Sequence, residues 1–196
     1  MNQLNNIPIK LELRYHPSEI YFPSTNNFCL ITDNKYPVYY NIKNYIYFNK
    51  LYKSITYKIC YSYNGAIGFG YQFFPYKKDL GFHNIDREYI RILLDLNTNE
   101  PKYVYFSAHR SEGKWYTWDK CKKNKNNDLI VYVANLSHAN YYNYGTWFRI
   151  FFFGNDHTSI RGKQIHPFYY IYEEFDAPIP NEETDYSFFK RLTYLG

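Results

Sequence analysis

Apolar and polar residues alternate along much of this chain with the period of two that a half-buried strand requires. Ile7, Ile9, Leu11 and Leu13 share one face of a first extended segment that runs to Tyr15. His16-Pro17 ends it, because the residue before a proline is pushed out of the helical region, and Ile20 to Ser24 predicts a packed turn. Two short strands follow, Pro37–Asn41 and Tyr45–Asn49, separated by Asn and Lys. Ser54–Tyr63 is a longer strand, stopped by Asn64-Gly65, a strong hairpin-turn signal. Gly65, Gly68 and Gly70 precede no helical pattern, so they predict a bend in sheet structure rather than a phosphate loop. Tyr71–Phe74 continues the sheet.

The central segment is His83-Asn84-Ile85-Asp86-Arg87-Glu88, which leads into Tyr89-Ile90-Arg91-Ile92-Leu93-Leu94. Alternation sets Asp86, Glu88, Ile90, Ile92 and Leu94 on one face and Arg87, Tyr89 and Arg91 on the other, which is expected to be wet. Beyond a turn at Asn97–Pro101, Tyr103–His109 predicts a strand with Tyr105, Ser107 and His109 together. Arg110 to Asp128 predicts a loop, Leu129–Asn135 a buried strand and Trp147–Phe153 another. Gly162–Pro167 predicts a loop, Phe168–Tyr172 a last strand, and Phe188–Leu192 in the acidic tail a docking segment. No long helical period appears. Many short strands with polar turns predict an all-β fold: a single antiparallel β-sandwich domain over residues 1–196, with short or no helices.

Composition supports sheet, since aromatics make up 23% of the chain, with 26 Tyr and 16 Phe. Its richness in Asn, Lys, Ile and Tyr is what an AT-rich genome produces. The net charge of +5 is mild at this length, and the dense basic run Lys120–Lys125 predicts a solvated loop. No specific nucleic-acid partner is expected, because basic and aromatic residues are not interleaved on a defined platform. Cys29, Cys60 and Cys121 lack metal-ligand or redox spacing and predict reduced thiols. No signal peptide and no membrane-spanning apolar run is visible, which favours an intracellular or particle-associated protein.

Two carboxylates on an otherwise apolar face are costly to bury without a partner. With His83 one short step earlier, Asp86 and Glu88 point to a metal or polar-ligand site at one strand mouth; the alternative is that the three only brace the sheet. Oxygen-rich ligation with one imidazole suits magnesium, calcium or manganese better than zinc. His109 and His138 each end a strand and are candidates for the same rim, with Asp156 and His157 further candidates. Ser107 and Ser137 precede histidines, but a Ser–His relay is not expected at either; at Ser137-His138 the two neighbours point to opposite faces of a strand.

Several landmarks carry a family resemblance. Leu13-Arg14-Tyr15-His16-Pro17 and Glu19-Ile20-Tyr21-Phe22-Pro23 resemble the opening of the vacuolar protein sorting sixty-two-like family. His83 to Glu88 is similar to its His-x-x-Asp-Trp-Glu core, with Arg87 where Trp is usual. Tyr105-Phe106-Ser107-Ala108-His109, Ser137-His138-Ala139-Asn140-Tyr141 and the Asp156-to-Gly162 loop follow in that family's order. The central motif also resembles that of the necrosis-inducing, ethylene-inducing-type cytolysins. That resemblance implies a divalent cation held by His83, Asp86, Glu88 and an upstream carboxylate, for which Asp79 is the nearest candidate.

The expected function is cation-dependent recognition of a polar headgroup, glycan or protein surface, membrane-active by family analogy. Two alternatives stand beside it. One is a structural or particle protein that uses its sandwich as an assembly surface, which leaves room for self-association. The other is a metal-dependent hydrolase, with His109 or His138 as acid or base; no nucleophile elbow or cofactor fingerprint favours it.

Overall fold

Among the described residues the alternating segments pair into two sheets and one short ribbon. The computed structural model describes residues 7–15, 37–64, 83–135, 137–148 and 156–171. In chain order the strands are β1 (Leu11–Tyr15), β2 (Pro37–Tyr47), β3 (Lys50–Asn64), β4 (His83–Asp95), β5 (Pro101–Phe106), β6 (Lys114–Thr117), β7 (Leu129–Val133), β8 (Asn140–Tyr141), β9 (Gly145–Trp147), β10 (Asp156–Thr158), β11 (Lys163–Ile165) and β12 (Phe168–Ile171). The larger sheet has the order β12-β2-β3-β4-β5-β6, the smaller β11-β1-β7-β8, and β9 pairs with β10. Antiparallel pairing dominates, but β1–β7 and β12–β2 are parallel, so both sheets are mixed rather than purely antiparallel. The fold is all-β. Its helical content among the described residues is a single turn, His109–Glu112, and a 3-10 turn at Trp118–Lys120. No helix among them is long and apolar enough to cross a membrane.

The two sheets contribute to one core. Leu11, Leu13, Leu129, Val131 and Val133 come from the smaller sheet, and Ile55, Tyr57, Ile59, Ile90, Ile92, Leu94, Val104 and Phe106 from the larger. Each buried Leu, Ile or Val contributes about 1.5–3 kcal/mol. Tyrosine hydroxyls tie the layers together: Tyr57 donates to the Ile9 carbonyl, and the Tyr169 hydroxyl accepts from the Leu11 amide at 2.5 Å.

The long hairpin β2–β3 differs from expectation. Its ladder runs unbroken from Tyr39↔Lys58 to Tyr47↔Lys50, so Ile42-Lys43-Asn44 continues one strand instead of separating two. Lys43 and Asn44 are exposed, so their polarity marks where cover ends, not where the strand ends. Lys114–Thr117 forms β6 and Lys163–Ile165 forms β11, both inside stretches expected to be loops. Strands of three or four residues are too short for a period of two to stand out. The segment Lys120–Lys125 is organised by Asn124, whose Oδ1 accepts from the Asn126 and Asp128 amides and whose Nδ2 donates to Glu12 and Asp128. Cys60 and Cys121 are free thiols. Cys29, the Ile20–Ser24 turn, Tyr71–Phe74, Asp79, most of Trp147–Phe153 and the tail from Glu173 lie outside the described residues.

Strand β4 decides the layout. Asp86, Glu88, Ile90, Ile92 and Leu94 are all buried on the inner face, as alternation requires. On the outer face Arg87 is exposed and Tyr89 half-buried, but Arg91, Leu93 and Asp95 are buried. Arg91 is therefore not on a wet face. Tyr45, Tyr47, Tyr52, Tyr103 and Trp115 from neighbouring strands form a second, aromatic cluster over Leu93.

Candidate functional site

The register of β4 against β3 sets Asp86 opposite Tyr61 and Glu88 opposite Ile59. Two positions apart on one strand, the two carboxylates sit about 6–7 Å apart along the backbone. Asp86 is 6% exposed and Glu88 4%. Ser107, just past β5, and His138, in the turn between β7 and β8, supply their partners.

The turn between β7 and β8 delivers His138. It is closed by the Ala134 amide on the Ala139 carbonyl (2.9 Å) and the His138 amide on the Ala134 carbonyl (3.2 Å). His138 adopts a left-handed backbone, φ 55°, a conformation that non-glycine residues adopt seldom and that concentrates at functional sites. Its Nδ1 lies 3.1 Å from Asp86 Oδ2, and its ring stacks on Tyr61 with centroids 3.9 Å apart. At the end of β5, Ser107 Oγ donates to Glu88 Oε2 and accepts from the Tyr89 amide at 2.6 Å.

A second carboxylate hub adjoins the first. Asp156 lies 2.8 Å from His109 Nε2 and accepts from Ser137 Oγ at 2.6 Å and from the Tyr141 hydroxyl at 2.5 Å. His109 also has a left-handed backbone, φ 45°. Ser137 and His138 turn to different carboxylates, Asp156 and Asp86, so no Ser–His relay forms within that pair.

The electrostatics separate the two hubs. Burial pushes the Glu88 carboxyl well above its ordinary value; the Asp86 and Asp156 charges add to this, while Ser107 and His138 oppose it. Burial also acts against ionised Asp156, yet the hydrogen bond and charge of His109 and the hydroxyls of Ser137 and Tyr141 outweigh it and hold that carboxyl below its ordinary value. Asp156 is a satisfied anion, and Glu88 is an acid short of positive charge.

Asn140 was not singled out by its sequence context, although it lies in the Ser137–Tyr141 motif. Its backbone amide donates to the Ser107 carbonyl at 2.9 Å, which places it beside the partner of Glu88. It is 1% exposed, and neither polar atom of its side-chain amide has a hydrogen-bond partner. Buried amides are almost always bonded, so such an orphan calls for an explanation.

Of the expected ligands, Asp86 and Glu88 stand two positions apart on β4, His138 bonds Asp86, and His109 bonds Asp156, whose charge is felt at Glu88. His83 begins β4 opposite Asn64, but its side chain, like Asp79, lies outside the described residues. Among the described residues, no three His, Cys, Asp or Glu side chains form a ready-made metal-ligand group. His157 is exposed and bonds Thr146 instead, with Nδ1 3.1 Å from Oγ1. The missed members, Tyr61, Asn140 and Tyr141, depend on strand register and on the turn between β7 and β8, neither of which is a local sequence signal. No family model, curated protein or solved structure matches the chain.

Proposed function

We propose that the chain is a divalent-cation-dependent recognition module, with a cation held at the mouth of β4 by Asp86 and Glu88 and by the amide oxygen of Asn140. The observation that carries this reading is the imbalance at Glu88: a buried carboxyl under the charge of two others, whose partner Ser107 is bonded by the backbone of Asn140, a residue with an unpartnered side-chain amide. Asp86 Oδ2 and Glu88 Oε2 are oriented by His138 and Ser107, so the two carboxyl groups are held in place before any ligand arrives. An oxygen-rich set of this kind suits magnesium, calcium or manganese. His83 and Asp79 complete the set that the cytolysin-like and vacuolar-sorting-like resemblance implies. In this reading the two sheets form a single sandwich, and the cation presents its open positions to a polar headgroup, a glycan or a protein surface.

Thermal unfolding after exhaustive chelation, followed by addition of calcium or magnesium, tests this. The melting temperature is expected to rise by several degrees with saturating metal in the wild type and to be indifferent to metal in Asp86→Ala. No metal response in the wild type, or an equal response in Asp86→Ala, would sink it.

A second reading has its own observation. Beyond the cover of the smaller sheet, the hairpin end exposes Ile42, Ile46, Phe48 and Leu51, a face suited to assembly. Light scattering that shows a large, metal-indifferent assembly would favour a structural role.

A further inference from the structure

The outer face of the larger sheet carries a buried charge with no counter-charge among the described residues. Thr56, Arg91, Tyr105 and Trp115 stand in register on four adjacent strands, so their side chains share the face turned away from the core. Arg91 is 7% exposed. Its Nε donates to Thr56 Oγ1 at 3.0 Å, and its guanidinium carbon lies 4.6 Å from the centre of the Tyr45 ring. Its Nη1 is buried without a hydrogen-bond partner, and so is the indole Nε1 of Trp115. The Trp115 ring is 5.3 Å from Tyr105 and 6.0 Å from Tyr45, so both orphan donors belong to one aromatic layer.

Among the described residues no carboxylate pairs with Arg91. Asp95, on the same face of β4, is taken by Lys50 at 2.8 Å. Burial, the dominant influence, lowers the pKa of Arg91, and Tyr45 and Tyr105 only partly oppose it. A buried guanidinium without a counter-ion is costly, and one cation–π contact offsets a part of that.

We propose that Arg91 and Trp115 form an anion site on the outer face of the larger sheet, binding a small oxyanion between guanidinium Nη1 and indole Nε1. Phosphate, sulfate and carboxylate share the required chemistry, because the planar guanidinium fork matches the spacing of their oxygens. Both ligand atoms on the protein are donors and one belongs to a buried cation, so an anion accepts from both and supplies the missing counter-charge. Tyr45 and Trp115 are half-buried, so the aromatic layer around Nη1 borders solvent. The site lies on the face of β4 opposite Asp86 and Glu88 and is independent of the cation reading.

The test is titration of the full chain with phosphate, sulfate or acetate against chloride at constant ionic strength, followed by calorimetry and by melting temperature. At least one oxyanion is expected to give saturable heat and a saturable rise in melting temperature, and the strongest of the three identifies the ligand class. Trp115→Phe, which keeps an aromatic ring and loses the N–H, should weaken binding severalfold, and Arg91→Met should abolish it. General salting effects are not saturable and would be equal in all variants. No saturable heat with any of the three in the wild type, or saturable binding that Arg91→Met retains, overturns the proposal.

Discussion

Glu88 and Asp95 occupy the same strand, yet their environments move their protons in opposite directions. Lys50 and the Asn97 and Thr98 amides hold Asp95 down at about 2. A depressed carboxyl stabilises the fold above its ordinary value near 3.8, and that contribution is lost as pH falls towards 2. Asp95→Asn should therefore lower the melting temperature at neutral pH and make no difference near pH 2, as acid titration of both proteins would show. Glu88 has the opposite sign. Its folded form holds the proton more tightly than the unfolded chain, so without metal it favours folding at low pH and opposes it as pH rises above the ordinary carboxyl value. In metal-free buffer Glu88→Gln should melt higher than wild type at neutral pH and have a flatter pH profile. The same variant should lose the response to calcium, a combination that a purely bracing role for Glu88 does not produce.

At the scale of elements, the β2–β3 hairpin turns through Phe48 and Asn49, with φ of 45° and 57°. A two-residue hairpin loop with both φ positive prefers Asn followed by Gly. Asn49 tolerates the conformation, but Phe48 is bulky and 66% exposed there, with its ring against Tyr47 at 4.4 Å. The double substitution Phe48→Asn with Asn49→Gly supplies the favoured pair and should raise unfolding stability by about 1 kcal/mol, measured by urea midpoint. This turn also shows why the strand boundaries were only partly legible. Phe48-Asn49 lacks the usual turn residues, whereas the exposed Lys43-Asn44 resembles punctuation, so one long strand reads as two short ones. β4 was legible because its inner face is apolar on every second residue to Leu94. Its outer face was misjudged, because the aromatic cover over Arg91 and Leu93 comes from β2, β3, β5 and β6.

For the molecule as a whole, the tyrosine excess has a structural use whatever its genomic origin. Tyr57 and Tyr169 each fill core volume and deliver a hydroxyl to the backbone at or just before β1. Tyr57→Phe keeps the ring and leaves the Ile9 carbonyl without that donor. It should cost about 1–3 kcal/mol, the penalty of an unsatisfied buried acceptor, with the fold retained by circular dichroism. A cost near zero would mean that water reaches Ile9 and that the layers are held by apolar contact alone.

What the sequence determined by itself is the all-β class, the inward face of β4 and the choice of Asp86, Glu88, His109, His138 and Asp156 as polar residues worth attention. These follow from side-chain alternation and from the cost of burying charge, both of which are local. Only the tertiary structure decided which of them meet. His138 reaches Asp86 through a turn on the other sheet, and His109 bonds Asp156 rather than the β4 carboxylates. It also decided that Asn140 and Arg91 are buried with polar atoms unpaired. Pairing and cover arise from strands distant in sequence, and a pattern of single positions carries no record of which strands lie side by side.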